Sequence, residues 1–104
     1  MMTYTKILLV SVLSMSAYAE DNQIVALCDS VSAQALVAAR LMASGAPFIE
    51  TVQRDDDPEW RYLVGKVYRH QSLVANVSEK QKEEYAKSFA HGELLRCHEE
   101  NRLP

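Results

Sequence analysis

Apolar and small residues at Ile24, Cys28, Val31, Ala35, Ala38 and Met42 recur in steps of four and three, the period of a helix face turned towards a core. The pattern predicts a first helix over about residues 23 to 44. Gly45 and Pro47 end it, one by accepting a left-handed backbone and the other by refusing a helical hydrogen bond. Ala33, Ala35, Ala38, Ala39 and Ala43 put little bulk on this helix, so a neighbour can approach closely. Phe48, Ile49 and Val52 mark a short helix or turn over residues 48 to 54.

Asp55-Asp56-Asp57-Pro58-Glu59 reads as a helix start: an aspartate caps free amides, proline fits the first helical position, and acidic charge meets the positive helix end. Trp60, Leu63, Val64, Val67 and Leu73-Val74 then carry a helical stripe to about residue 75, with Gly65 inside it as an expected point of close helix packing. Calcium is the other use of such an acidic run, but the spaced oxygen ligands and glycine of an EF-hand are missing. Ser78 and Gln81 form a capping box for a last helix over about 78 to 98, with Tyr85, Ala86, Phe89, Ala90, Leu94 and Cys97 on one side. Asn76-Val77-Ser78 matches a glycosylation sequon, which has no meaning in a bacterial protein of the kind the N-terminus suggests.

Lys6 precedes an apolar stretch, Ile7 to Ala19, that closes on Ala17-Tyr18-Ala19 just before Glu20 and Asp21. That is the pattern of a secretory signal peptide cut near Ala19, and it is too short to span a bilayer as a helix. The expected organisation is a signal peptide, residues 1–19, and a single helical domain, residues 20–104, periplasmic or secreted and without a stable membrane anchor after cleavage. Cys28 and Cys97 are the two cysteines, and an even count in a short exported chain reads first as a disulfide. A lipid anchor at Cys28 is disfavoured by Leu27 before it and by the polar Glu20-Asp21-Asn22 upstream. The bond would close a loop of roughly 70 residues, about 4 kcal/mol in the chain-entropy estimate.

The expected fold is all-α: a small bundle of three long helices and one short one, closed by Cys28–Cys97. The bond makes the first and last helices antiparallel, and the two-residue link before Ser78 makes the last two helices antiparallel neighbours. The first and second long helices then run in the same direction, with residues 45 to 57 returning the chain by about 30 Å. Lys and Arg number 11 against 14 Asp and Glu, for a net charge of −3. Losing Lys6 with the leader makes the remainder one unit more negative. With no basic stripe to release counterions, nucleic acid is not an expected partner.

Cys28-Asp29, Ala39-Arg40 followed by Ser44-Gly45-Ala46-Pro47, Val67-Tyr68, and Ser78-Glu79 with Tyr85 and Phe89 leading to Cys97 give the chain a likeness over most of residues 20–104. It resembles small secreted two-cysteine helical proteins of unknown function from proteobacteria and their phages. The resemblance implies the same cysteine staple and supplies no catalytic or ligand residues. The Asp55–Asp57 run and the tail Glu99–Pro104 depart from it.

His70, His91 and His98 are the histidines, and His91 and His98 stand two helical turns apart, too far for a two-ligand clamp. Glu93, Glu99 and Cys97 lie nearby, but Cys97 is better explained by oxidation, so no metal or other cofactor is expected. A Cys97–His98 nucleophile would need an exposed, electropositive thiol, whereas Cys97 sits on the apolar stripe. No enzymatic activity is expected. Trp60, Arg61, Tyr62, Tyr68 and Arg69 form the candidate interface, since tyrosine, tryptophan and arginine are enriched at interface centres; a core Trp60 and solvated arginines are the plainer use of the same residues. The function these features suggest is that of a non-enzymatic periplasmic interaction or regulatory protein with an envelope protein partner. The alternatives are a small lipid or apolar-ligand carrier, or an acid-stress periplasmic chaperone.

Overall fold

The first helix, α1, runs without interruption from Met2 to Ala43. The computed structural model describes the backbone of residues 2 to 102 and the side chains of residues 21 to 102. The expected leader therefore falls where side chains lie outside the described residues, as do Leu103 and Pro104 of the tail. The predicted start near residue 23 is corrected: no glycine or proline precedes Gly45, so nothing in the sequence stops the helix from continuing through the leader. Gly45 ends it with φ +90°. Its N–H donates to Met42 and that of Ala46 to Leu41, the paired bonds of a Schellman cap.

Four more helices follow: α2 Phe48–Val52, α3 Pro58–Tyr68, α4 Gln71–Val74 and α5 Glu79–Glu100, with no strand among the described residues. The architecture is all-α, with two short helices in place of the one expected. The difference lies at Arg69-His70, where the predicted helix over 58–75 breaks. The His70 N–H reaches back only to Val67, that of Leu73 only to His70, and the His70 Nδ1 meets the Tyr85 hydroxyl at 2.8 Å. The turn swings α4 so that Val74 is buried while Leu73 is left exposed. Asp57 caps α3 by accepting from the Glu59 N–H at 3.0 Å, with Pro58 at the first position. Ser78 and Gln81 form the expected capping box on α5.

Helix directions follow from contacts. Cys28 is disulfide-bonded to Cys97, the Ser32 hydroxyl donates to the Ala90 carbonyl at 3.2 Å, and Arg40 pairs with Glu83 at 2.5 Å, so α5 runs antiparallel to α1. Gln34 donates to Asp57 at 3.4 Å and the Tyr68 hydroxyl to the Ala46 carbonyl at 2.5 Å, so α3 runs with α1. The return from residue 46 to the level of residue 34 covers about 18 Å at helical rise, less than the 30 Å expected, because α3 spans three turns and not five.

The core has two connected parts. Cys28, Val31, Ala35, Leu63, Ala90 and Cys97 pack around the disulfide; Ala38, Ala39, Met42, Trp60, Val64, Val67, Val74 and Ala86 pack at the other end. The predicted α1 stripe is the buried face, with Ile24 half-buried at its margin. Among the described residues the buried side chains lie between Cys28 and Cys97.

Candidate functional site

The return segment decides which aromatic residues reach the surface. Thr51 is buried, its hydroxyl donates to the Pro47 carbonyl at 3.0 Å, and its own carbonyl accepts the Trp60 indole N–H at 2.9 Å. Tyr68 closes the same knot: its hydroxyl lies 2.8 Å from that of Thr51, and its ring packs edge-on against Phe48 at 5.4 Å. Two members of the candidate interface are thereby taken inward. Trp60 belongs to the core, and Tyr68 is half-buried with its polar atom satisfied.

Arg61, Tyr62 and Arg69 remain exposed, and with Gly65 and Lys66 they line a groove of about 290 Å³ along the outer face of α3. The spacing explains the shape. Arg61, Gly65 and Arg69 follow one another at four-residue steps, so each stands one turn above the last, and Tyr62 and Lys66 flank the glycine. Gly65 departs from its expected role: a Cβ built there meets nothing within 4 Å, so it is a gap facing solvent and not a point of helix contact.

Beneath the groove lies a charge network whose central acid periodicity alone would have found. Ala86, Ala90, Glu93 and Cys97 stand at the i, i+4, i+7 and i+11 positions of the buried stripe of α5, and Glu93 is 2% exposed. Lys66 Nζ meets one carboxylate oxygen at 2.5 Å and Arg96 Nε donates to the other. Arg96 also reaches Glu59 at 2.7 Å and Glu100 at 2.8 Å. Burial pushes the Glu93 carboxyl up, but the bonds from Lys66 and Arg96 and their charges outweigh it and hold it below the usual carboxylate range. The Glu93 bond raises Lys66, and Arg96 is raised by its three carboxylates against the opposing effect of burial.

The network also fixes Tyr62. Arg96 Cζ lies 4.9 Å and Lys66 Nζ 5.7 Å from its ring centroid, two cations beside a half-exposed aromatic. Arg61 is held more loosely, by Asp56 at 2.9 Å, with both side chains in solvent. Such pairs are worth about 0.2–1 kcal/mol and exchange readily. Arg69 has no carboxylate partner among the described residues.

The histidines do not converge. His70 bonds Tyr85, while His91 and His98 are exposed on α5. Cys97 is bonded to Cys28 and carries no thiol. Among the described residues no three of His, Cys, Asp and Glu share a metal-sized site. A larger groove, about 790 Å³, lies at the disulfide end between Ile24 and Val25 of α1 and Leu95, His98 and Asn101 near the end of α5. The chain matches no protein-family model, no curated protein and no solved structure.

Proposed function

We propose that this chain is an exported, non-enzymatic interaction or regulatory protein that binds an envelope protein through the outer face of α3. One observation carries the proposal: in a protein of net charge −3, the α3 groove is lined by Arg61, Tyr62, Gly65, Lys66 and Arg69 without a single acidic residue. Arginine and tyrosine are among the residues most often found at the energetic centre of an interface, and here the exposed Tyr62 ring stands among them with Arg96 and Lys66 within about 6 Å of it. Export is supported by the apolar N-terminal segment and by a disulfide of the kind that persists in oxidising compartments. The periplasm is the compartment that fits these features.

Site-specific photo-crosslinking in the host tests the role. A photoreactive residue at Tyr62 should give a discrete protein adduct that the same residue at exposed Ser88 of α5 does not. Equal labelling at both positions, or none at either, would remove the interaction role. Intact mass of the exported product should correspond to a chain beginning at Glu20 with both cysteines oxidised.

The groove at the disulfide end favours a second role, a small carrier of lipid or apolar ligands, because Val25 and Leu95 are about half exposed beside it. Native mass spectrometry of protein purified from its host separates the two: a co-purifying lipid supports the carrier, and the bare mass supports the interaction protein.

A further inference from the structure

We infer that the α3 groove takes an extended acidic polypeptide segment, with carboxylates about four residues apart straddling Gly65, one on Arg61 and one on Arg69. The inference rests on the proposed interaction role and names the chemistry of the partner. Eight residues of helix separate Arg61 from Arg69, about 12 Å along the axis. In an extended chain two side chains four residues apart lie on the same face at about 13 Å, so a carboxylate pair at that spacing meets both arginines at once. The missing side chain at Gly65 leaves room for the peptide backbone between them, since no neighbouring heavy atom comes within 4 Å of the place a Cβ would occupy.

The geometry disfavours a single small anion. Asp56 draws the Arg61 guanidinium towards the N-terminal end of α3, away from Arg69, so the two charges do not converge on one phosphate. Lys66 adds little there, since its charge is already matched by Glu93 beneath the groove. A flat anionic membrane fits no better, because exposed Asp55 and Asp56 stand just before Arg61 and would be pressed against it. Those same aspartates give the groove a polarity: the partner segment should carry a basic residue beside its first carboxylate, positioned to take over Asp56 when Arg61 is recruited.

Fluorescence anisotropy with the exported, oxidised protein tests this. The probe is a dye-labelled twelve-residue peptide carrying two glutamates four residues apart and one lysine before the first. It should bind at low ionic strength and lose most of its affinity at about 0.5 M salt, where exposed charges are screened. Arg61→Ala and Arg69→Ala should each weaken binding about threefold, and the pair about tenfold. Lys87→Ala, which removes the same charge from exposed α5, should leave it unchanged. Gly65→Gln fills the gap without altering charge and should also weaken binding, with helix content and melting temperature as the check on folding.

Binding unaffected by the double arginine substitution or by Gly65→Gln overturns the inference. So does equal binding of a peptide with adjacent glutamates, full competition by inorganic phosphate, or binding to phosphatidylglycerol vesicles in place of the peptide. If the peptide fails while Tyr62 still crosslinks a protein in the host, the partner chemistry is wrong and the interaction role stands. If the peptide binds as expected but no adduct forms in the host, the groove is an acidic-peptide site and the interaction role fails.

Discussion

α5 is held on two sides by different physics. Towards α1 it presents Ala86, Ala90 and Cys97 to Cys28, Ala35 and Ala39, side chains so small that the backbones approach closely along the whole seam. Towards α3 it presents Glu93 and Arg96, and the helices stay further apart, bridged by Lys66, Glu59 and the two α5 side chains. The α1–α5 seam is covalent and largely apolar, with the solvent-exposed Arg40–Glu83 pair at its far end, so pH has little handle on it. The α3–α5 junction adds an ionic link with a buried central acid to the apolar burial of Leu63, Val64 and Val67, so part of its strength depends on one carboxylate staying charged. The contrast assigns each helix a role: α1 and α5 form the frame, and α3 is the attached element that carries the groove.

The frame's staple should dominate stability. Replacing both cysteines, Cys28→Ala with Cys97→Ala, releases a loop of 69 residues and should cost about 4 kcal/mol, in the chain-entropy account. For a domain of this size the melting temperature should fall by about 20 °C. Calorimetry of the oxidised protein and the double variant measures it. A loss of only a few degrees would mean that the alanine seam holds α1 and α5 without help, and the division into frame and attachment would go.

The junction should be the next largest effect, and its sign with pH is fixed. Glu93 titrates lower folded than unfolded, so its bonds contribute fully above the unfolded value of about 4.3 and are lost as pH falls through the folded-state value. Glu93→Gln should therefore cost about 2 kcal/mol at pH 7, less than the roughly 3–5 kcal/mol of a fully buried pair because Lys66 and Arg96 keep contact with water. The gap between the variant and the parent should narrow as pH falls through the folded-state value. Urea unfolding at a series of pH values from 7 to about 2 decides; a gap that narrows nowhere in that range would show that Glu93 acts through packing and not charge. Acid should loosen α3 first while the disulfide holds the frame, exposing Leu63 and Val67 to a hydrophobic dye. No rise in dye binding between neutral pH and about pH 2 would remove the acid-stress chaperone alternative.

Local chemistry made the helix ends and the staple legible in the sequence. The α1 stripe, the Gly45 stop, the Asp57-Pro58 start and the Ser78-Gln81 box are each written within a few neighbouring residues, and two cysteines leave one pairing to consider. The site was less legible because it depends on contacts between segments. Trp60 and Tyr68 look like surface anchors until the return segment places the Thr51 and Ala46 oxygens beside them. The break at Arg69-His70 carries no glycine or proline, and the His70–Tyr85 contact that accompanies it joins residues 15 positions apart. Glu93 alone had a readable signal, an acid on the apolar period of α5, and its partners Lys66 and Arg96 were hidden only by the packing of α3 on α5.

The smallest effect discriminates best between frame and attachment, because stability and binding should move in opposite directions. A glycine inside a helix costs about 1 kcal/mol relative to alanine, and nothing crowds a Cβ at position 65. Gly65→Ala should therefore stabilise the protein by up to about 1 kcal/mol, raising the melting temperature by a few degrees. Were Gly65 a close-packing residue of the frame, the same methyl would clash and the protein would weaken. In the attached element its effect belongs to the outer surface: the fold gains, while the space between Arg61 and Arg69 narrows and the acidic peptide binds less tightly. A variant that melts higher and still binds fully would leave the gap at residue 65 without a part in recognition, and the arginines would have to act as independent charges.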